Sequence, residues 1–148
     1  MRTPGFGARV GVLILNGFVA ISAIAGAIWV VPTMPMEWIK YGPFTDWTIP
    51  AIALGAVGVF AAVTFVALLW RPWLGALLSI LAGVAMVVFE LVEIGVVGWT
   101  LSDPTLSGFQ KSLQLVYLIV GSGQALLGWW LWRSTRDAAP PLPVLHPA

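Results

Sequence analysis

The chain has 148 residues, of which 59% are hydrophobic and 9% charged, with a formal net charge of +1. An ordinary soluble domain carries roughly a quarter charged residues, and a chain of this size cannot hide so much apolar surface from water. Lipid is therefore the expected solvent for most of it, which excludes a soluble enzyme, a nucleic-acid binder and a disordered regulator.

The absent residue types exclude more. There is no cysteine, and the one histidine, His146, lies near the C-terminus, outside any apolar run. Thiolate or imidazole ligands inside a bundle are therefore not expected. No cofactor, no metal site and no catalytic residue is implied.

A spanning helix needs about 20 mostly apolar residues, and four stretches qualify: 10–31, 48–70, 74–98 and 112–132. The expected fold is all-α: a polytopic membrane protein whose four transmembrane helices form an up-down antiparallel bundle. Residues 10–132 form the membrane domain, with outer loops 32–47 and 99–111. Residues 1–9 are a cytoplasmic N-terminus and 133–148 a Pro-rich cytoplasmic tail. The first run is longer than the roughly 7–15 residues of a signal-peptide core, so it reads as a retained helix. Its face of Asn16, Ala20, Ala23 and Ala27 suits close helix packing.

The loop before helix two mixes Met34, Met36, Trp38, Tyr41 and Phe44 with polar residues, as a segment lying on the membrane surface would. Asp46 either caps helix two or faces water, Thr48 is a second candidate cap, and Pro50 falls in the first turn, where proline is tolerated. Ala51, Gly55 and Ala62 mark the expected packing face of helix two. Arg71-Pro72-Trp73 reads as a tight turn into helix three, whose stripe is Gly75, Ser79 and Gly83.

Glu90 falls seven residues after Gly83, hence on the same stripe, facing the bundle. Glu93 follows one turn later, so the two carboxylates are neighbours. An acid inside a membrane span is costly and functional by default. Two such acids do not both ionise cheaply, so the pair is expected to share or exchange a proton. Candidate partners are Tyr117 and Gln114 on helix four, with Asp46 and Tyr41 nearer the surface; a purely structural packing network is the alternative. Helix four presents Gln114, Tyr117, Gly121, Gln124 and Gly128 on one face. Asn16 and Gln124 read as interhelical packing groups rather than a site. Beyond Arg133, Ser-Thr-Arg-Asp-Ala-Ala-Pro-Pro favours extended or disordered chain.

Arg2, Arg9, Arg71, Arg133 and Arg136 fall on one side of this topology and only Lys40 and Lys111 on the other. Both termini are therefore expected in the cytoplasm, with the chain in the cell inner (plasma) membrane. All nine tryptophans lie near helix ends, as interfacial girdles do.

Tyr41-Gly42-Pro43-Phe44-Thr45-Asp46-Trp47-Thr48-Ile49-Pro50, the Glu90–Glu93 segment and Ser112-Leu113-Gln114-Leu115-Val116-Tyr117 together resemble an uncharacterised family of small bacterial four-helix integral membrane proteins. In that family a PF-x-D-aromatic-x-IP segment precedes helix two, an acid sits late in helix three, and a Gln-x-x-Tyr pair starts helix four. Family members commonly carry Gly where this chain has Ala51. The resemblance implies the same topology and directs attention to Asp46, Glu90, Gln114 and Tyr117.

Two functions follow as expectations. One is a non-catalytic accessory subunit or structural module with a polar cluster in its outer half, working with the lipid bilayer and a membrane-protein partner. The other is a small proton-coupled carrier or cation-binding protein that uses Glu90 and Glu93, as a homo-oligomer.

Overall fold

The computed structural model describes residues 5–33, 36, 45–94 and 108–137, without the side chains of Glu93, 108–111 and 137. The elements are four helices: α1 (Phe6–Thr33), α2 (Thr48–Trp70), α3 (Pro72–Glu93) and α4 (Gly108–Asp137). Among the described residues there is no strand, and all four helices contain a stretch long and apolar enough to cross a membrane.

Their faces are reversed relative to a soluble bundle. On α1, Ile14, Ile21 and Ile28 recur every seven residues and point outward, Ile21 being 75% exposed, whereas Asn16 and Ala23 are fully buried. A soluble amphipathic helix turns its apolar stripe to the core and its polar stripe to solvent. Here the polar and small residues face inward and the branched apolar ones outward, the pattern that hydrocarbon solvent selects.

Three helices extend past their expected ends. α1 starts at Phe6 rather than Val10 and continues through Pro32 to Thr33. α3 starts at Pro72 rather than Leu74, with proline in its first turn, where its missing N–H leaves nothing unpaired. α4 starts at Gly108 rather than Ser112 and passes Trp132 to reach Asp137, so the first five residues of the expected extended tail are helical. The cause is local. Arg133 lies 4.5 Å over the Trp129 ring and Arg136 4.5 Å over Trp132, both one turn apart, where helical side chains meet. Ser134 Oγ and Thr135 Oγ1 donate to the Trp130 and Trp132 carbonyls. Most of loop 32–47, loop 99–107, the expected end of helix three at 95–98 and the Pro-rich residues 138–148 lie outside the described residues.

α2 and α3 are joined by Arg71 alone. Its extended backbone (φ −136°, ψ 85°) follows from the clash that keeps a residue before proline out of the α region. So short a link brings the helices together at once: a Cβ on Gly75 would stand 2.5 Å from the Leu68 backbone. At the start of α2, Thr48 is helical rather than capping. Asp46 Oδ1 accepts the Thr48 N–H at 2.8 Å and satisfies one of the free donors of the first turn.

α1 packs mainly on α2 and α3 mainly on α4, while α2–α3 and α1–α4 close the ring and α1 barely touches α3. This is the expected up-down antiparallel bundle. Because neighbours run antiparallel, Arg9, Arg71, Arg133 and Arg136 gather at one end, the basic end. There Arg9 of α1 donates from Nη2 to the Leu68 and Leu69 carbonyls at 3.1 and 3.3 Å, capping α2 from a neighbouring helix.

The α3–α4 seam is the tightest. A Cβ on Gly83 would collide with the Gly121 carbonyl oxygen and lie 2.6 Å from the Ala125 nitrogen; one on Gly121 would lie 3.0 Å from the Gly83 oxygen. Both obstacles are backbone, so a larger residue is accommodated only by parting the helices. On α2 the buried face is Ala51, Gly58, Ala61, Thr64 and Leu68. Gly55 and Ala62, expected on that face, are only half-buried. α1 decides this, because Ile24 and Ala23 press against Gly58.

Replacing Gly83 with Ala is expected to lower stability in detergent by about 1–3 kcal/mol, the usual cost of overpacking. Gly7, with open space around its α-carbon, is the control, and Gly7→Ala is expected to be neutral or slightly stabilising. Equilibrium unfolding of both variants in mixed micelles checks this; equal effects would refute a backbone crossing at Gly83.

Candidate functional site

The core is layered. Toward the basic end, Ala8, Val12, Leu68, Ala76 and Leu131 form one apolar cluster. Toward the far end, Val19, Ala20, Ala23, Ala61 and Met86 form another, with Tyr117 packed against it. Between the two lies a polar layer with one residue from each helix: Asn16, Thr64, Ser79 and Gln124, all fully buried.

Three of these four are linked across helices. Asn16 Nδ2 donates to Ser79 Oγ on α3 at 3.0 Å and to the Val12 carbonyl of its own helix at 2.8 Å. Gln124 Nε2 on α4 donates to Asn16 Oδ1 at 3.0 Å. Ser79 Oγ then donates to the Gln124 main-chain oxygen at 3.4 Å. The chain of bonds runs α4 to α1 to α3 and back to α4. Thr64 stays within α2 and bonds the Phe60 carbonyl at 2.8 Å. In a low-dielectric interior each such bond is strengthened and each missing one is costly, so the layer sets how the helices are rotated against one another. Asn16 and Gln124 meet here as packing groups. Ser79, the residue that joins them, was legible only as a small residue on a stripe, and its spacing from Gly75 and Gly83 gives no hint of a bonding role.

The second polar region lies further toward the far end. Glu90 is 4% exposed and Gln114 6%, and both engage neighbours. The α3–α4 seam explains why they share a level. The backbones meet at Ala76 with Gly128 and again at Gly83 with Gly121. One further step of seven along each antiparallel helix sets Glu90 opposite Gln114. Tyr117, one turn inward from Gln114, is half-buried. Glu93 ends α3, and its side chain, and with it the proposed carboxylate pair, lies outside the described residues. Asp46 is exposed at the start of α2 and holds the Thr48 N–H. It therefore serves the helix end, while Glu90 and Gln114 occupy the interior.

The described residues contain no group of three or more His, Asp or Glu that could hold a metal ion. An apolar cleft of about 210 Å³ opens between α2 and α3, with Val57, Phe60, Ala82, Met86 and Gln124 in its wall. It forms where the two helices, in contact at Gly75 and Leu68, part toward the far end.

In comparisons with protein-family models, curated proteins and solved structures, the chain matches none of them.

A double-mutant cycle on Asn16→Val and Gln124→Leu measures the polar layer directly. The expected coupling is about 0.6 kcal/mol, the average for interhelical hydrogen bonds in membranes, and at most about 1.7 kcal/mol. It is read from unfolding free energies of the two single variants and the double variant. Additive effects would mean that the bond contributes nothing to the fold.

Proposed function

We propose that this protein is a non-catalytic integral membrane protein, an accessory subunit or structural module that presents its bundle to a membrane-protein partner. The observation that carries this reading is the fate of the buried polar side chains at the middle of the bundle. Asn16, Ser79 and Gln124 are hydrogen-bonded to one another across three helices, as residues that fix helix packing are. The adjoining cleft is lined almost wholly by apolar atoms and offers no chain of polar groups for an ion to follow. The arginines at the basic end support placing that end, with both termini, in the cytoplasm. A bacterial inner membrane is the setting that the motif resemblance favours.

A second reading rests on Glu90. Burying a carboxyl group within a membrane span costs about 3 kcal/mol by insertion scales when it is ionised, and Gln114 faces it across the α3–α4 seam. An acid in such a place, joined by Glu93 one turn outward, suits a protonatable or cation-binding site in a homo-oligomeric carrier.

Purification in mild detergent followed by mass determination of the intact particle separates the two. A stoichiometric partner of different sequence is expected. A homo-oligomer that carries protons in proteoliposomes would transfer the assignment to Glu90. The Glu90→Gln variant adds an independent readout. A packing role predicts a lower yield of folded protein with unchanged proton flux, whereas a carrier role predicts normal yield and lost flux.

A further inference from the structure

Two exposed arginines at the basic end, Arg133 and Arg136, lie on α4 three residues apart, where helical side chains are neighbours. Each guanidinium carbon stands 4.5 Å from the centroid of an indole ring, Trp129 under Arg133 and Trp132 under Arg136. The ring holds one face of the guanidinium and leaves the N–H groups of its edge open to a further acceptor. No described carboxylate is at hand, since the described acid side chains, Asp46 and Glu90, both lie toward the far end. Asp137 is the one acid of the sequence beside these arginines, and its side chain lies outside the described residues. Against it stand Arg9, Arg71, Arg133 and Arg136. Counted outward from the crossing of Ala76 with Gly128, Arg71 and Arg133 are equally far along their segments and share a level. Tryptophan sets the depth of that level. Trp70, Trp73, Trp129 and Trp130 are all exposed there, and exposed indoles settle among the lipid headgroups. Inward from Arg133, the same line of α4 continues every seven residues through Leu126 and Ile119, 68% and 62% exposed.

We propose that the basic end of α4 is a binding site for an anionic glycerophospholipid. Its phosphate accepts from the guanidinium edges of Arg133 and Arg136, a pairing that charge assistance strengthens. One acyl chain follows Leu126 and Ile119 toward the middle of the bilayer. The surplus of arginine over carboxylate selects a headgroup of net negative charge. A zwitterionic headgroup brings its own cation into the same positive field and gains less. A free phosphate ion has the charge but no use for the apolar line beneath it. Because the indoles orient both guanidinium groups beforehand, less side-chain freedom is lost when the lipid binds. The site rests on the membrane-spanning reading and adds which lipid the bundle retains.

The full chain is placed in nanodiscs of equal parts phosphatidylglycerol and phosphatidylcholine with matched acyl chains. The lipids it keeps on release are then counted by native mass spectrometry. Phosphatidylglycerol is expected to be retained about tenfold over phosphatidylcholine, the order that a pair of arginines near a membrane surface supplies. Arg133→Gln combined with Arg136→Gln is expected to bring that ratio close to unity. Trp129→Leu keeps both charges but removes the platform under Arg133, and is expected to leave about a threefold preference. Arg71→Gln removes an equal charge from the neighbouring link and is expected to leave most of the preference in place. Inorganic phosphate, compared with chloride at equal ionic strength, is expected to leave the ratio unchanged. Equal retention in the unaltered chain, or a ratio that survives the double glutamine variant, would overturn the site. So would a loss from Arg71→Gln as large as that from the double variant, which would leave only a diffuse positive field. Displacement of phosphatidylglycerol by phosphate would assign the arginines to a free anion instead. A chain that stays outside the nanodiscs would overturn the membrane-spanning reading and the site with it, whereas one that enters them without preference overturns the site alone.

Discussion

Two helices already dissolved in hydrocarbon gain little from exchanging lipid for each other, so a bundle in that solvent depends on contacts that lipid cannot supply. In this protein those contacts are the hydrogen bonds among Asn16, Ser79 and Gln124. They occupy the middle of the core, between two apolar clusters built largely from alanine, valine and leucine. Small apolar residues tolerate several rotations of a helix about its own axis. An amide that must find a hydroxyl on one neighbour and an amide on another tolerates one. The polar layer thus selects a single arrangement from the many that the apolar layers would permit.

Close backbone approach is what lets those side chains reach each other. The glycines at 83 and 121 bring α3 and α4 near enough for Ser79 to meet the Gln124 carbonyl, and the one-residue link at Arg71 fixes α3 beside α2. The same seven-residue step that stacks these crossings continues to Glu90 and Gln114. The far polar region therefore inherits its geometry from the seam. Where α2 and α3 diverge beyond their contact at Gly75, no side chain on either helix is large enough to fill the gap, and the cleft is what remains. Tight packing on one side of α3 and an opening on the other follow from glycine at one set of positions and alanine at another.

The ends of the helices obey a different constraint. Arginine and tryptophan alternate at the basic end, and a guanidinium set over an indole ring keeps both its charge near water and its stem on apolar surface. That pairing carries α4 through Arg136, beyond the point at which the apolar run stops. Arg9 performs a related task for α2 by taking two of its terminal carbonyls. These arginines, which a count of charges treats only as markers of sidedness, are also structural members of the bundle.

Composition and run length were enough to indicate four helices long and apolar enough to cross a membrane, and their alternating direction. Those properties depend on single segments meeting a hydrocarbon layer, and each segment carries the whole signal. The buried faces of α1, α3 and α4 were legible because a polar residue recurs with small ones at helical spacing on each: Asn16 with Ala20 and Ala23, Ser79 with Gly75 and Gly83, and Gln124 with Gly121 and Gly128. On α2, glycine and alanine are spread around the helix, and the expected face took Gly55 where the structure buries Gly58. Ile24 of the neighbouring helix chose between them. The role of Ser79, the opposition of Glu90 and Gln114, and the cleft beside Gln124 belong to the tertiary structure alone. Each is set by the distance between two helices, a quantity that no single segment contains.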